Sequence, residues 1–139
     1  MLLALFGQQA SKNLASAEKI SLGGPNGVRA YPVGEALGDS GNLVQVEYRY
    51  LWPGVKVWDG ELNVSAHYDW GQVRVNENPP AIATQNKRSI SGYGVGVSLG
   101  AEGGFIVRAS VSWRADDEVP TADPRERDPR AWIQAVKWF

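Results

Sequence analysis

The sequence predicts an all-β fold, a segment of an antiparallel transmembrane β-barrel, and three observations lead there. Six stretches alternate apolar and polar residues with a period of two, the pattern of strands with one apolar and one polar face. The connections between them run long, short, long, short, long, as do the extracellular loops and periplasmic turns of an outer-membrane barrel. Glycine, Trp and Tyr are plentiful and helix-favouring runs almost absent.

In order, the first strand is expected at about Leu2 to Ser11. The apolar opening Met1–Phe6 has no basic start, breaks at Gly7 and offers no cleavage site, so it is read as strand and not as a signal peptide. From Leu43 to Trp52, Val44, Val46, Tyr48, Tyr50 and Trp52 face one way and Gln45, Glu47 and Arg49 the other, with Pro53-Gly54 expected to end the strand. Leu62 to Val75 sets Leu62, Val64, Ala66, Tyr68 and Trp70 against Asn63, Ser65, His67, Asp69 and Gly71. Ser89 to Leu99 sets Tyr93, Val95, Val97 and Leu99 against Gly92, Gly94, Gly96 and Ser98. Phe105 to Arg114 sets Phe105, Val107, Ala109, Val111 and Trp113 against Arg108, Ser110, Ser112 and Arg114, and a last strand runs from Arg130 to Phe139. Strands of about 9–11 residues suit a tilted bilayer crossing. Tyr50, Trp52, Tyr68, Trp70 and Trp113 fall near strand ends, where interfacial girdles form. Following the alternation to its end puts the C-terminus on the periplasmic side.

The long connection from about Lys12 to Asn42 holds the stretch Ser21-Leu-Gly-Gly-Pro-Asn-Gly-Val-Arg-Ala-Tyr-Pro-Val-Gly-Glu35. Its glycines and prolines exclude helix and central strand. Gly23, Gly24, Pro25 and Gly27 read as a turn that folds the segment back, and Val28-Arg29-Ala30-Tyr31 looks built for burial. Arg29 is either solvated at the tip of a surface loop or carried on a rigid mount. Asp69 lies on the polar face of its strand, inside the lumen if the apolar face meets lipid; it is either solvated there or holds a cation. Arg29 is the rigidly mounted candidate, and an arginine–carboxylate pair can be bidentate.

Other chemistry has little to stand on. The net charge of −1 steers nothing toward nucleic acid. Without cysteine there is no disulfide, thiolate nucleophile or zinc-thiolate site, and no apolar run approaches the ~18 residues of a membrane helix. His67, the single histidine, lacks partners at metal-ligand spacing; no metal, cofactor or enzymatic activity is expected. Asp116-Asp117-Glu118 and Arg125-Glu126-Arg127-Asp128 read as solvated loop and not as a calcium cage. Gly92, Gly94 and Gly96 precede no helix, so they are not a phosphate loop; they leave room for something packed on the inner wall, such as the folded-in loop.

Taken together, Ser21–Glu35, the aromatic-Asp-x-Gly run Tyr68-Asp69-Trp70-Gly71 and the terminal Trp132-Ile-Gln-Ala-Val-Lys-Trp-Phe139 resemble two-partner secretion transporters, the haemolysin secretion/activation group. The resemblance implies the C-terminal six strands of a sixteen-stranded barrel in the bacterial outer membrane. It implies a long loop dipping into the lumen, where Arg29 meets Asp69, followed by Gly71, and where Tyr31 packs beside the pair. It also implies an assembly signal in Trp132, Ile133 and Phe139, read by the barrel-assembly machinery. The partners so implied are outer-membrane lipid and an unfolded exoprotein. Two positions depart from the pattern: Ala30 stands where the loop tip usually has glycine, and Lys137 shares the face of Phe139, where the signal tends to be apolar. The family's periplasmic polypeptide-binding domains and ten earlier strands have no counterpart here.

Six strands fall short of the eight of the smallest single-chain barrel, and open edges are costly in lipid. The chain is therefore expected to be the C-terminal piece of a longer translocator that secretes a haemolysin- or adhesin-type exoprotein. Two alternatives remain open at this point: a soluble secreted β-sandwich that binds carbohydrate, and a porin-like barrel closed by several copies.

Overall fold

A computed structural model describes residues 1–57, 60–81, 85–101, 104–123 and 125–138. Its main element is an antiparallel sheet of six strands: β1 (Leu2–Gln8), β4 (Ser40–Val57), β5 (Gly60–Arg74), β6 (Lys87–Ala101), β7 (Phe105–Arg114) and β8 (Arg130–Lys137). They lie side by side in that order, a meander broken by one long excursion after β1. The excursion carries two short strands, β2 (Ile20–Ser21) and β3 (Leu37–Gly38), paired with each other. The sheet does not close: β1 and β8 are its edges.

All six expected strands are present, and β4 departs from its expected bounds in an informative way. β4 does not end at Pro53-Gly54. It slips register between Leu51 and Lys56 and resumes pairing at Lys56 with Glu61 and Val57 with Gly60. Proline removes one ladder donor and Gly54 takes a positive φ of 81°, so the ladder accommodates them as an irregularity instead of stopping. β4, β5 and β6 reach 18, 15 and 15 residues, longer than the ~9–11 that cross a bilayer. Phe139, expected to close the last strand, lies outside the described residues.

The register sorts the side chains cleanly. On one face Tyr68 opposes Tyr93, and Tyr93 opposes Trp113, these last two stacked with ring centroids 6.0 Å apart. Tyr48, Tyr50, Val95, Val97 and Ile133 share this face and are exposed. A continuous exposed apolar face of this extent marks a surface made for lipid or for a partner. On the opposite face Gln45 opposes Asp69, which opposes Gly92, and Glu47 opposes His67, which opposes Gly94.

The excursion folds onto that second face and forms the core with it. Leu22, Val28, Ala30, Tyr31 and Ala36 from the excursion are buried against Leu43 of β4, Val73 of β5 and Ile90 of β6. Among the described residues, the fully apolar interior therefore lies between loop and sheet. Gly92 permits the approach, because a Cβ there would meet the Ala30 Cβ and the Trp113 carbonyl. Gly71 does the same for Leu22, whose Cδ1 would lie 2.9 Å from an added Cβ.

Gly92→Val is expected to lift the loop off the sheet, at a cost of about 1–3 kcal/mol, while the strand ladder persists. Hydrogen exchange checks this: protection should fall across residues 21–35 and hold across β5 and β6.

Candidate functional site

The loop is tied together by hydrogen bonds of its own backbone. The Glu35 carbonyl accepts from the amides of Leu22 at 3.1 Å and Gly23 at 3.3 Å, joining its two limbs. Gly24 N donates to Tyr31 O at 3.0 Å, Val28 N to Leu22 O at 2.7 Å and Tyr31 N to Val28 O at 3.0 Å. A Cβ at Gly23 would strike the Pro32 carbonyl, and one at Gly27 would strike that of Leu22; only glycine lets the limbs close this tightly. Gly24 completes the turn with a positive φ of 115°. Pro25, beside it, lines a cavity of about 400 Å³ together with Arg29, Glu47, Arg108 and Trp132.

At the tip, Arg29 is held on three sides. Its Nε and Nη2 donate to Asp69 Oδ2 and Oδ1, each at 2.9 Å, a bidentate fork. Its backbone amide adds a third bond to Oδ2 at 3.1 Å. Nη1 donates to Glu47 Oε2 at 2.6 Å, and Glu47 in turn accepts from Arg49 Nε at 2.5 Å. Two cations thus face two carboxylates. The Asp69 side chain is 1% exposed and that of Arg29 12%. Burial works against the guanidinium charge, but Asp69 first and Glu47 second outweigh it and raise its pKa above the ordinary value. Gln45 Nε2 donates to Gly27 O at 2.9 Å, and Trp132 Nε1 donates to Arg29 O at 2.7 Å across from β8.

A second set of contacts grips the loop at its base. The fully buried Glu35 carboxylate accepts from Thr121 N at 2.9 Å, Ala122 N at 2.8 Å and Thr121 Oγ1 at 2.8 Å, and it pairs with Arg88. The Tyr31 hydroxyl donates to Asp116 Oδ1, with the Glu118 carbonyl 2.8 Å away. Asp116 also accepts from Ser91 N and Oγ, at 2.5 and 2.7 Å. Burial first, and Asp116 second, push the Tyr31 pKa upward, so the phenol stays a donor. For Glu35, burial opposes ionisation, yet the Ala122 and Thr121 amides, the Thr121 hydroxyl and Arg88 prevail and hold its carboxyl below the ordinary value.

The structure therefore brings Arg29, Asp69 and Gly71 together with the loop turn, and directs the Tyr31 hydroxyl away from the Arg29–Asp69 pair toward Asp116. Trp132 lies on the loop face and Ile133 on the apolar face, 78% exposed. Asp116 is not solvated as expected, because Tyr31 and Ser91 draw it inward; Asp117 remains exposed. Gly94 and Gly96 leave room for strand side chains and not for the loop: added Cβ atoms would meet His67 Nε2 at 2.6 Å and Ser65 Oγ at 2.9 Å. Buried His67 bonds Ser112 Oγ through Nε2 at 2.9 Å. Among the described residues no group of three or more His, Asp or Glu side chains could hold a metal.

Glu47, Gln45, Glu35 and Asp116 were missed as site residues. Glu47 and Gln45 were signalled by parity, since the alternation already put them on the polar face of a strand beside Asp69. Trp132 carried the same signal, lying an odd number of residues from Phe139 and hence on the opposite face. Glu35 and Asp116 belong to irregular segments, where no periodicity reports a direction.

Residues 2–103 match the family model described as haemolysin secretion/activation protein ShlB/FhaC/HecB. The chain is 31% identical over 140 residues to the heme/hemopexin transporter protein HuxB of Haemophilus influenzae strain 86-028NP. It is 30% identical to that of strain ATCC 51907. Each match takes in 99% of this chain and 24% of the relative, so the chain spans about a quarter of the length of these curated relatives. No solved structure matches it.

Asp69→Asn keeps the shape of the fork and removes its charge. It is expected to weaken loop docking by about 3 kcal/mol, read as lost hydrogen-exchange protection at residues 27–31. Acid should act at the base of the loop. Glu35 is depressed in the folded state, so its contribution is complete above its ordinary value of 4.5 and fades as pH falls through the lower folded value. An environment-sensitive fluorophore at exposed position 33 should report this acid release, and Glu35→Gln should weaken its pH dependence.

Proposed function

Because this chain belongs to the haemolysin secretion/activation family of outer-membrane transporters, we propose that it forms the last six strands and the lumenal latch of a two-partner secretion translocator. In this reading the apolar face of the sheet meets lipid, the loop face lines the lumen, and strands outside this chain close the wall on β1 and β8. The observation that carries it is the hold on Arg29. A loop that merely covered a surface would not bury a guanidinium between two carboxylates of the sheet wall, where each desolvated ion costs several kcal/mol unless fully partnered. The exposed Tyr48, Tyr50, Tyr93, Val95, Val97 and Ile133 support lipid contact on the other side and disfavour a soluble sandwich, in which that face would need a cover.

The cargo is an unfolded exoprotein passing from periplasm to cell surface. No bond is made or broken; the wall supplies a polar path and the loop supplies a movable constriction in it. The relatives' name specifies heme/hemopexin, and for this chain we assign the polypeptide that crosses the membrane as cargo, not haem itself. The single histidine, His67, is buried and engaged by Ser112. Trp132, through its bond to the Arg29 carbonyl, joins the latch, while Ile133 and Phe139 serve the assembly signal recognised by the barrel-assembly machinery.

Arg29→Ala and Asp69→Ala, made in the full-length translocator, should each lower secretion about tenfold or more, the equivalent of losing one charge-assisted contact, while the heat-modifiable folded barrel persists. Secretion at the parental level in both variants would overturn the latch. Deletion of Phe139 should instead lower the yield of folded barrel; an unchanged yield would remove that residue from the assembly signal.

A further inference from the structure

The contacts at the base of the loop do something that the tip contacts cannot. Glu35 is a node: its carbonyl closes the loop on Leu22 and Gly23, and its carboxylate binds the connection between β7 and β8 at Thr121 and Ala122. Resting on the lumenal reading above, we propose that Glu35 and Asp116 are positioning residues, which clamp the base of the loop to the β7–β8 connection and thereby set the depth at which Arg29 meets Asp69.

Three observations carry this. First, the loop is rigid between its base and its tip, with Gly24 N on Tyr31 O, Val28 N on Leu22 O and Tyr31 N on Val28 O. A displacement at Glu35 is therefore passed to Arg29 instead of being absorbed on the way. Second, the clamp is anchored on two strands of the wall. Arg88, which pairs with Glu35, sits on β6 and also donates from Nη2 to Val119 O at 3.0 Å and from Nη1 to Thr121 Oγ1 at 3.1 Å. Ser91, on the same strand, holds Asp116 from the other side, and Arg114 of β7 donates to Glu118 O at 3.2 Å. Third, bidentate geometry tolerates little error. The two 2.9 Å bonds of Arg29 to Asp69 need the guanidinium plane aligned with the carboxylate, and a tether at one end of a rigid loop fixes that alignment. The β7–β8 connection is then a strap across the base of the lumenal loop, and the loop withdraws from the lumen only when the strap lets go.

The test uses the full-length translocator reconstituted in lipid vesicles, with spin labels placed in two pairs. One pair, at exposed positions 33 and 119, spans the strap; the other, at positions 26 and 98, reports the loop tip against the wall. In the parent both pairs should give a single narrow distance distribution. Asp69→Asn should broaden the tip pair alone. Glu35→Gln and Asp116→Asn should broaden both pairs and lower the docked population at the tip at least about tenfold, as expected for losing a hydrogen bond to a charged group. Arg88→Lys, which keeps the charge, should retain more of the docked state than Arg88→Met. A tip distribution unchanged by Glu35→Gln, with the strap pair broadened, would overturn the proposal. If Glu35→Gln frees the tip and secretion is unaltered, the positioning role stands and the latch reading of secretion fails instead.

Discussion

The arrangement turns on one buried cation. Arg29 brings a charge to the sheet wall, and its cost is met only because three of its side-chain N–H groups end on carboxylate oxygens. That requirement dictates the surroundings. Asp69 must sit on the loop face, beside residues small enough for the loop to come within hydrogen-bond distance, and glycine occupies both of those neighbouring positions, Gly71 and Gly92. Glu47 must be near enough to take the third donor, and Arg49 then balances Glu47. Removing the loop would leave the buried Asp69 carboxylate without the guanidinium that pairs with it; removing Asp69 would leave that guanidinium without its fork.

The same demand explains why the hydrophobic core lies where it does. A single layer of sheet whose one face is left uncovered has only the other face on which to bury apolar side chains, and here that face is largely polar, carrying Gln45, Glu47, His67 and Asp69. Leu43, Val73 and Ile90 are exceptions clustered at one end of the sheet, and the loop covers all three. Apolar burial holds the body of the loop, the Arg29 fork orients its tip, and the contacts of Glu35 fix its base. Each does what the others cannot, since burial is non-directional and the fork is sharply directional.

Much of this was legible in the chain. The six strands came from period-two alternation, which is strong wherever one face is apolar, as in β5 with Val64, Ala66 and Tyr68 against Ser65, His67 and Asp69. The pairing of Arg29 with Asp69 was available because one residue stood in a glycine-rich turn and the other on a polar strand face. What stayed hidden has common causes. Pro53-Gly54 looked like a stop because local propensity does not register that a long two-stranded extension can absorb a bulge. Asp116 looked solvated because an acidic run in a loop has no periodicity from which to read its contacts. Tyr31 was expected beside Arg29, but neighbours two apart in a tight turn diverge, and its hydroxyl went to the base of the loop instead.

The contacts that dock the loop also span unusual distances along the chain. Arg29 meets Asp69 40 residues away, Glu35 meets Thr121 86 away, and the Trp132 indole reaches Arg29 across 103. Contacts between such distant residues form late, because the entropy of closing the intervening chain must be met before they can contribute. Neighbouring strands of the meander pair locally, so the ladder from β4 to β8 can be complete while the loop is still free. Trp132 belongs to the last strand of that ladder, so the loop cannot finish docking until β8 has arrived. The seated loop is thus a record of assembly order: within this chain it precedes β4 to β8 and yet settles after them, so its closure marks a sheet to which β8 has already been added.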